Sequence, residues 1–133
     1  MSYLLDTNAC SVVLRDRGSK IATRLVLESV ENIVVCSVVK AELYYGARRS
    51  DRAEQILEKL NQFLAVFRSL PFDDAAAETY GRIRADLAAK GTPIGPNDLM
   101  IAAIAVTHGA ILVTHNTREF ERVDGLQWED WET

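Results

Sequence analysis

Acidic and amide side chains that could hold a divalent cation fall at four separated places in this 133-residue sequence. Asp6 directly follows a short apolar run, Glu42 lies in a helical segment after a second such run, and Asp98 follows a loop rich in proline and glycine. Asn116 and Glu119 come just after a last apolar run. Hard cations such as Mg²⁺ prefer oxygen ligands of this kind, and a cation bound there can promote hydrolysis of a phosphodiester.

The elements that must position these side chains alternate between strands and helices. Short apolar runs predict strands at 3–5, 33–36 and 110–113, of which 33–36 is also rich in β-branched residues, and the segment 66–72 is strand-like. Apolar residues at helical spacing predict helices at 7–16, 21–30, 38–48, 51–65, 97–107 and 117–120, and one more that begins at Asp73 or Asp74. This alternation predicts an α/β fold in a single domain over residues 1–133, with a central parallel sheet of four to five strands and helices on both faces.

The carboxyl ends of parallel strands meet at one edge of a sheet, and ligand sites form beyond that edge. The acids and the amide are therefore expected to converge there. Each has a plainer reading: Asp6 and Asp98 could cap helices, Glu42 could be an exposed helix residue, and Asn116 could be a turn residue. If none of these residues had a function, four separate segments would have brought acids or amides to the same sheet edge by coincidence. A functional site is therefore favoured.

Composition limits the class of protein. Hydrophobic residues make up 48% and charged residues 26%, which is ordinary for a globular domain. No apolar run approaches the roughly 20 residues that span a bilayer, and the first residues lack a signal-peptide pattern, so a cytoplasmic protein without a membrane partner is expected. The net charge of −4 argues against a broadly basic nucleic-acid binder, although basic residues cluster at 15–24, 48–52 and 82–84. Cys10 and Cys36 are predicted to be buried thiols.

Four segments follow one another along the chain: LLDTN with Asp6, SVVKAELYYGA with Glu42, GTPIGPNDLMIAAIA with Asp98, and LVTHNTREFERVDGL with Asn116. Together they resemble the motifs of the VapC-type toxins of the PIN-domain family, over nearly the whole chain. The resemblance implies a PIN-like fold, a Mg²⁺- or Mn²⁺-dependent endoribonuclease, and the toxin half of a type II toxin–antitoxin system. It further implies cleavage of tRNA, with the anticodon stem-loop of initiator tRNA as the favoured substrate.

The resemblance also implies partners. VapC-type toxins are usually homodimers, and a small VapB-type antitoxin neutralises them by covering the active site with its tail. The complex typically contacts operator DNA through the antitoxin alone. For this chain, the expected partners are therefore a second copy, a VapB-type antitoxin and the RNA substrate, with operator DNA bound only indirectly.

By the same resemblance, Asp6, Glu42 and Asp98 are expected to coordinate the metal directly or through water. Many PIN domains have aspartate where this chain has Asn116, which is neutral and a poorer ligand. Glu119 lies one helical turn further on and could supply the missing charge. Either Asn116 or Glu119 could therefore fill the fourth position of the catalytic group.

Several other residues are predicted to assist. Thr7, Asn8 and Thr114 belong to the same motifs, and Thr114 is expected to hydrogen-bond to the acids rather than react. Possible contacts to RNA or to the antitoxin come from Tyr45 and Arg49, which share a helix face with Glu42, and from Arg84, although Tyr45 could equally be a core residue and Arg84 a plain surface residue. His115 stands beside the site and could act as a base, although an exposed turn histidine is the plainer reading.

Two other functions compete with this interpretation. A phosphatase of the haloacid-dehalogenase type also begins with an acid after its first strand. It would need a second aspartate where this chain has Asn8, and a lysine beyond Lys90, which the sequence lacks. The second alternative is a PIN-like domain that binds RNA or regulates a partner without catalysis, and Asn116 is its main support.

Overall fold

The structure is a computed structural model that describes all 133 residues. Its five strands are β1 (Tyr3–Leu5), β2 (Ile33–Cys36), β3 (Arg68–Leu70), β4 (Ile111–Val113) and β5 (Gln127–Glu129). Its seven α-helices are α1 (Thr7–Arg15), α2 (Lys20–Leu27), α3 (Ser37–Arg48), α4 (Ala53–Leu64), α5 (Asp74–Ala89), α6 (Pro96–His108) and α7 (Thr117–Phe120). A 3₁₀ turn covers Val30–Asn32.

The strands form one sheet in the order β3-β2-β1-β4-β5, and every neighbouring pair is parallel. All residues of β2 and β4 are buried. Since successive side chains of a strand point to opposite faces, burial of every residue means that helices cover both faces of the sheet. The predicted parallel α/β architecture is therefore confirmed.

The sequence-based boundaries are close to the observed ones, with three differences. The second helix ends at Leu27 and is followed by the 3₁₀ turn, whereas one helix up to residue 30 was predicted. Ser37, which directly precedes the predicted helix 38–48, is the first residue of α3, and its hydroxyl accepts a hydrogen bond from the Phe72 N–H at 3.2 Å. The strand at 127–129 was not predicted, because only its pairing with β4 makes this short segment a strand.

Helix α6 carries one of the acids and is buried over most of its length. Its residues 101 to 105 are all 0% exposed, as expected for a helix that is apolar nearly all round. Gly95 occupies the N-cap position and Pro96 the first turn, where its missing N–H costs nothing. Asp98 therefore lies inside the first turn and is not the cap, so the capping interpretation of Asp98 is wrong and its carboxylate is left to make other contacts.

The tail packs back onto the first strand. Trp131 is 5% exposed, and its ring centroid lies 5.1 Å from that of Tyr3. The Arg24 guanidinium lies 4.5 Å from the centroid of the Trp131 ring. Cys10 and Cys36 are buried free thiols, as predicted. None of the helices combines the length and the apolarity needed to span a membrane.

Candidate active site

The ends of three neighbouring strands bring the predicted site residues to one edge of the sheet. Asp6 follows β1, and its N–H donates to the carbonyl oxygen of Val113 at the end of β4, at 3.1 Å. Glu42 lies on α3, the helix that follows β2. Asp98 on α6 is close enough to both of these acids for their charges to raise its pKa. The predicted convergence of the acids is therefore observed.

Asp6 is 5% exposed and is held by the backbone of the helix it caps. Its Oδ1 accepts the Ala9 N–H at 2.7 Å, and the Thr114 hydroxyl also hydrogen-bonds to the carboxylate. Burial nevertheless raises the pKa of Asp6, and the negative charges of Glu132 and Glu42 raise it further. Asp6 is thus both the N-cap of α1 and a member of the acidic site, so the capping interpretation and the functional interpretation are compatible.

Glu42 is half-buried and is bound at both oxygens. The Thr7 hydroxyl donates to Oε1, and the side-chain amide of Asn97 donates to Oε2 at 3.1 Å. These two partners orient the carboxylate between α1 and α6. Thr7 was predicted as a supporting residue, whereas Asn97 was not, although Asn97 is the direct neighbour of Asp98 in the same motif.

Asp98 and Glu119 form the most crowded part of the site. Burial raises the pKa of Asp98 to about 7, and a hydrogen bond to Glu119 and the charges of Glu119, Glu42 and Asp6 act in the same direction. Glu119 is stabilised as the charged partner, because the Gly95 N–H donates to its Oε1 at 3.0 Å and lowers its pKa. In the absence of a cation, Asp98 is therefore the carboxyl of this pair that takes up a proton first as the pH falls.

Asn116 serves this crowded part as a hydrogen-bond donor. Its side-chain amide donates to Oε2 of Glu119, and its backbone N–H donates to the Thr114 hydroxyl at 3.0 Å. The neutral amide thereby supports the carboxylate of Glu119, and Glu119 brings the fourth carboxylate of the site. Asp6, Glu42, Asp98 and Asn116 were singled out from the sequence together with Glu119, and the structure brings all five together.

This donor set fits a divalent cation. Each charged group that shifts the pKa of Asp98 is another carboxylate, and none is a lysine or an arginine. Crowded carboxylates without a counter-charge repel one another, and one of them then holds a proton, as Asp98 does. Oxygen donors from Asp6, Glu42, Asp98 and Glu119 are the kind that Mg²⁺ and Mn²⁺ take.

The remaining candidates lie around this centre. Tyr45 is 64% exposed, and the Arg49 guanidinium lies 5.4 Å from the centroid of its ring. Arg84 is exposed and donates to the Tyr80 hydroxyl at 3.0 Å. Asn8 is exposed on α1, two residues after Asp6. All of these residues are available at the surface.

His115 is 59% exposed at its side chain and is paired with an acid that the sequence analysis did not consider. Its Nδ1 lies 3.0 Å from Oδ2 of Asp130, which follows β5. This bond raises the pKa of His115 above its ordinary value. Asp130 and Glu132 were missed because the strand that brings them to this edge was not predicted.

Comparison with known proteins gives a family and full-length relatives. The PIN domain family matches residues 3–126. The tRNA(fMet)-specific endonuclease VapC of Shigella flexneri is 42% identical over 131 residues, which cover 98% of each chain. Among solved structures, the DNA-bound VapBC of Salmonella typhimurium has a TM-score of 0.93 and 40% identity, covering 98% of each chain. VapBC2 of Rickettsia felis, bound to a promoter DNA fragment, has a TM-score of 0.93 and 38% identity, covering 98% of this chain and 99% of that chain.

Proposed function

Because the chain belongs to the PIN-domain family, and within it to the VapC ribonucleases, we propose that it is the toxin of a type II toxin–antitoxin pair and hydrolyses RNA with the help of Mg²⁺ or Mn²⁺. The observation that carries this proposal is the convergence of Asp6, Glu42, Asp98 and Glu119 beyond one edge of a parallel sheet. The phosphatase alternative finds no support, since the matched family covers residues 3–126.

The metal ligands of this proposal are Asp6, Glu42 and Asp98, with Glu119 as the fourth acid. A divalent cation held there supplies Lewis-acid chemistry for phosphodiester hydrolysis. Hydrogen bonds within the chain orient these carboxylates before a cation binds. Backbone and hydroxyl donors orient Asp6, and Thr7 and Asn97 orient Glu42. Such orientation matters because loss of an outer hydrogen bond to a ligand typically costs roughly 10- to 100-fold in metal affinity or activity.

The substrate of this proposal is tRNA, with the anticodon stem-loop of initiator tRNA favoured. The tRNA(fMet) specificity of the Shigella relative supports it, at 42% identity over 131 residues. Tyr45, on the same helix as Glu42, and Arg49, directly after the end of that helix, are exposed and suited to an RNA strand, since an aromatic ring can stack on a base and a guanidinium can bind phosphate. Arg84, near the loop that leads into α6, is the third proposed contact.

The proposed protein partners are a VapB-type antitoxin and a second copy of the chain. Relatives of known structure are VapBC complexes, some bound to DNA, which supports operator binding through the antitoxin. A cleft of about 610 Å³ beside Thr7 and Glu42 is lined in part by Leu14, Leu43 and Ile56. Its apolar lining next to the acids suits an antitoxin segment that covers the site.

The test is cleavage of a total tRNA pool by the purified, antitoxin-free chain, in Mg²⁺ and in EDTA, by the wild type and by Asp6→Asn. Asparagine can still cap α1, so this variant should fold. Discrete cuts that need both the metal and Asp6 are expected, and mapping them identifies the tRNA. A folded wild type that cuts no RNA in Mg²⁺ or Mn²⁺ would contradict the proposal and favour a noncatalytic RNA-binding or regulatory role.

A further inference from the structure

A second, polar cleft opens beside the acids, on the side of α1 that faces the ends of β4 and β5. Its volume is about 440 Å³, and six of its seven lining residues are polar. These six are Asn8, Ser11, Arg15, His115, Asn116 and Glu132. Asn8 lies two residues after Asp6, and the Asn116 side chain is hydrogen-bonded to Glu119. The cleft therefore begins next to the acids of the proposed catalytic centre.

The guanidinium of Arg15 and one ring nitrogen of His115 are free to bind a ligand in this cleft. Arg15 is exposed at the end of α1 and makes no salt bridge in the structure, whereas Arg24 and Lys90 are both paired with acids. His115 uses Nδ1 for its contact with Asp130, which leaves Nε2 without a protein partner. The cleft therefore offers a guanidinium and an imidazole nitrogen that nothing in the chain satisfies.

Glu132 is the one acid among the lining residues, and its charge acts on the catalytic side. A carboxylate oxygen of Glu132 lies within 4.8 Å of a ring nitrogen of His115 and of a carboxylate oxygen of Asp130, and its charge also raises the pKa of Asp6. Asp130 is 14% exposed at its side chain and faces His115, while Glu132 bonds through its backbone N–H to Asp130 Oδ1 at 2.9 Å. Of the charged groups around the open cleft, Arg15 is thus the one without a counter-charge.

We propose that this cleft binds a ribose–phosphate unit of the RNA strand next to the scissile bond, with Arg15 at the phosphate and His115 Nε2 at the same unit. The inference rests on the proposed nuclease function and deepens it. The larger cleft shares Ser11 and Arg15 with this one, but it is less suited, because five of its eleven lining residues are hydrophobic and His115 is not among them. Phosphate contacts require a charged or hydrogen-bonding surface, which the polar cleft provides.

The experiment measures binding and cleavage separately for Arg15→Gln, His115→Gln and the double variant. The probe is a fluorescent RNA hairpin with the sequence of the initiator-tRNA anticodon stem-loop. Its binding is followed by anisotropy in EDTA over a range of salt concentrations, and its cleavage is followed in Mg²⁺. Matched controls are Arg82→Gln and His108→Gln, since both residues are exposed and lie outside the cleft. Melting temperatures check that every variant folds.

For Arg15→Gln we expect a Kd and a KM raised about five- to tenfold, because the substitution removes a charge-assisted hydrogen bond to phosphate. The slope of log Kd against log salt should fall by about 0.7, the value for one fewer phosphate neutralised on a single strand. For His115→Gln we expect a smaller rise of KM, about two- to fivefold, with kcat little changed. The controls should match the wild type in both measurements.

The proposal is overturned if the Arg15 variant binds the hairpin with an unchanged Kd and salt slope, or if the controls change as much as the cleft variants. A wild type that does not bind the hairpin also overturns it. If His115→Gln raised the Mg²⁺ concentration needed for half-maximal rate and left KM unchanged in excess metal, a metal site at His115, Asp130 and Glu132 would replace the proposed role of His115. Failure of the nuclease function is recognised separately, as binding by the wild type without cleavage.

Discussion

The acids of the site fall into two halves that differ in how their charge is compensated. Asp6 and Glu42 are bound by donors from the chain: a backbone N–H and the Thr114 hydroxyl for Asp6, and the Thr7 hydroxyl and the Asn97 amide for Glu42. In the other half, Asp98 faces Glu119 and its pKa is raised to about 7 by burial and by neighbouring carboxylates.

The difference indicates which half depends on a cation. The first half is oriented by its own hydrogen bonds, so its geometry exists before a metal arrives. In the second half, the neighbouring carboxylates raise the pKa of Asp98, so the pair is least repulsive when Asp98 is protonated. A metal that replaces this proton would remove the repulsion, so the second half should respond to metal and to pH more strongly than the first.

The largest expected effect is on cleavage. Asp6→Asn and Asp98→Asn should each lower the rate of RNA cleavage in Mg²⁺ roughly 100-fold or more, because each removes a proposed anionic metal ligand. Glu54→Gln, an exposed acid on α4, is the matched control and should cleave at the wild-type rate. Full activity of either site variant in excess Mg²⁺ would remove that residue from the proposed metal centre.

The next effect is on stability as a function of pH in EDTA. A carboxyl with a raised pKa binds its proton more tightly when the chain is folded. The stabilisation from protonated Asp98 is therefore present at low pH and is lost as the pH rises from about 4 to about 7. This loss should be visible in the melting temperature of the wild type and absent in Asp98→Asn. Equal pH dependence of the two proteins would mean that Asp98 is not the titrating group.

Added metal should reverse that loss. At pH 8, Mg²⁺ at about 100 times its Kd should raise the free energy of unfolding by about 2.7 kcal/mol. Asp98→Asn should gain much less, since it lacks one of the proposed ligands. If Mg²⁺ and Mn²⁺ leave the melting temperature of the wild type unchanged, the crowded half is not completed by a cation.

A smaller effect separates the two roles of Asp6. Asp6→Ala removes the cap of α1 and should lower the free energy of unfolding by about 1 kcal/mol, whereas asparagine preserves the cap. Both substitutions should abolish metal-dependent cleavage. Urea unfolding in EDTA measures the difference, and equal stability of the alanine and asparagine variants would show that capping by Asp6 contributes little.

The smallest effect concerns Asn116. Asn116→Asp replaces the amide that donates to Glu119 by a third carboxyl group in the crowded half. In EDTA at pH 8 it should lower the free energy of unfolding by about 1 kcal/mol, and Mg²⁺ should recover most of that loss. A variant that is as stable as the wild type in EDTA would contradict the role of Asn116 as a donor.

The sheet and the site could be predicted to different degrees from the sequence. The strands that end before Asp6 and Thr114 were predictable because a short apolar run followed directly by a polar residue is typical of a buried strand. The strand at Gln127–Glu129 was not, because a three-residue segment becomes a strand only through its neighbour β4. For the same reason, the pairing of Asp130 with His115 was missed.

The site residues themselves could be predicted because each acid lies within six residues of the end of a predicted strand or of the start of a predicted helix. The sequence did not predict which residues hydrogen-bond to these acids. The Asn97 amide reaches Glu42 across 55 positions of sequence, and the Gly95 N–H reaches Glu119 across 24. Contacts of this kind depend on how α3, α6 and α7 pack together, which no local pattern encodes.

The most direct measurement of the central claim is the number of protons released when metal binds. Calorimetric titration of the wild type with Mn²⁺, in buffers of different ionisation enthalpy, gives this number at each pH. With the pKa of Asp98 at about 7, about half a proton per site should be released at pH 7, and the number should fall towards zero by about pH 8.5. Binding without proton release at pH 7, or no binding at all, would contradict the claim that a cation completes the crowded half of the site.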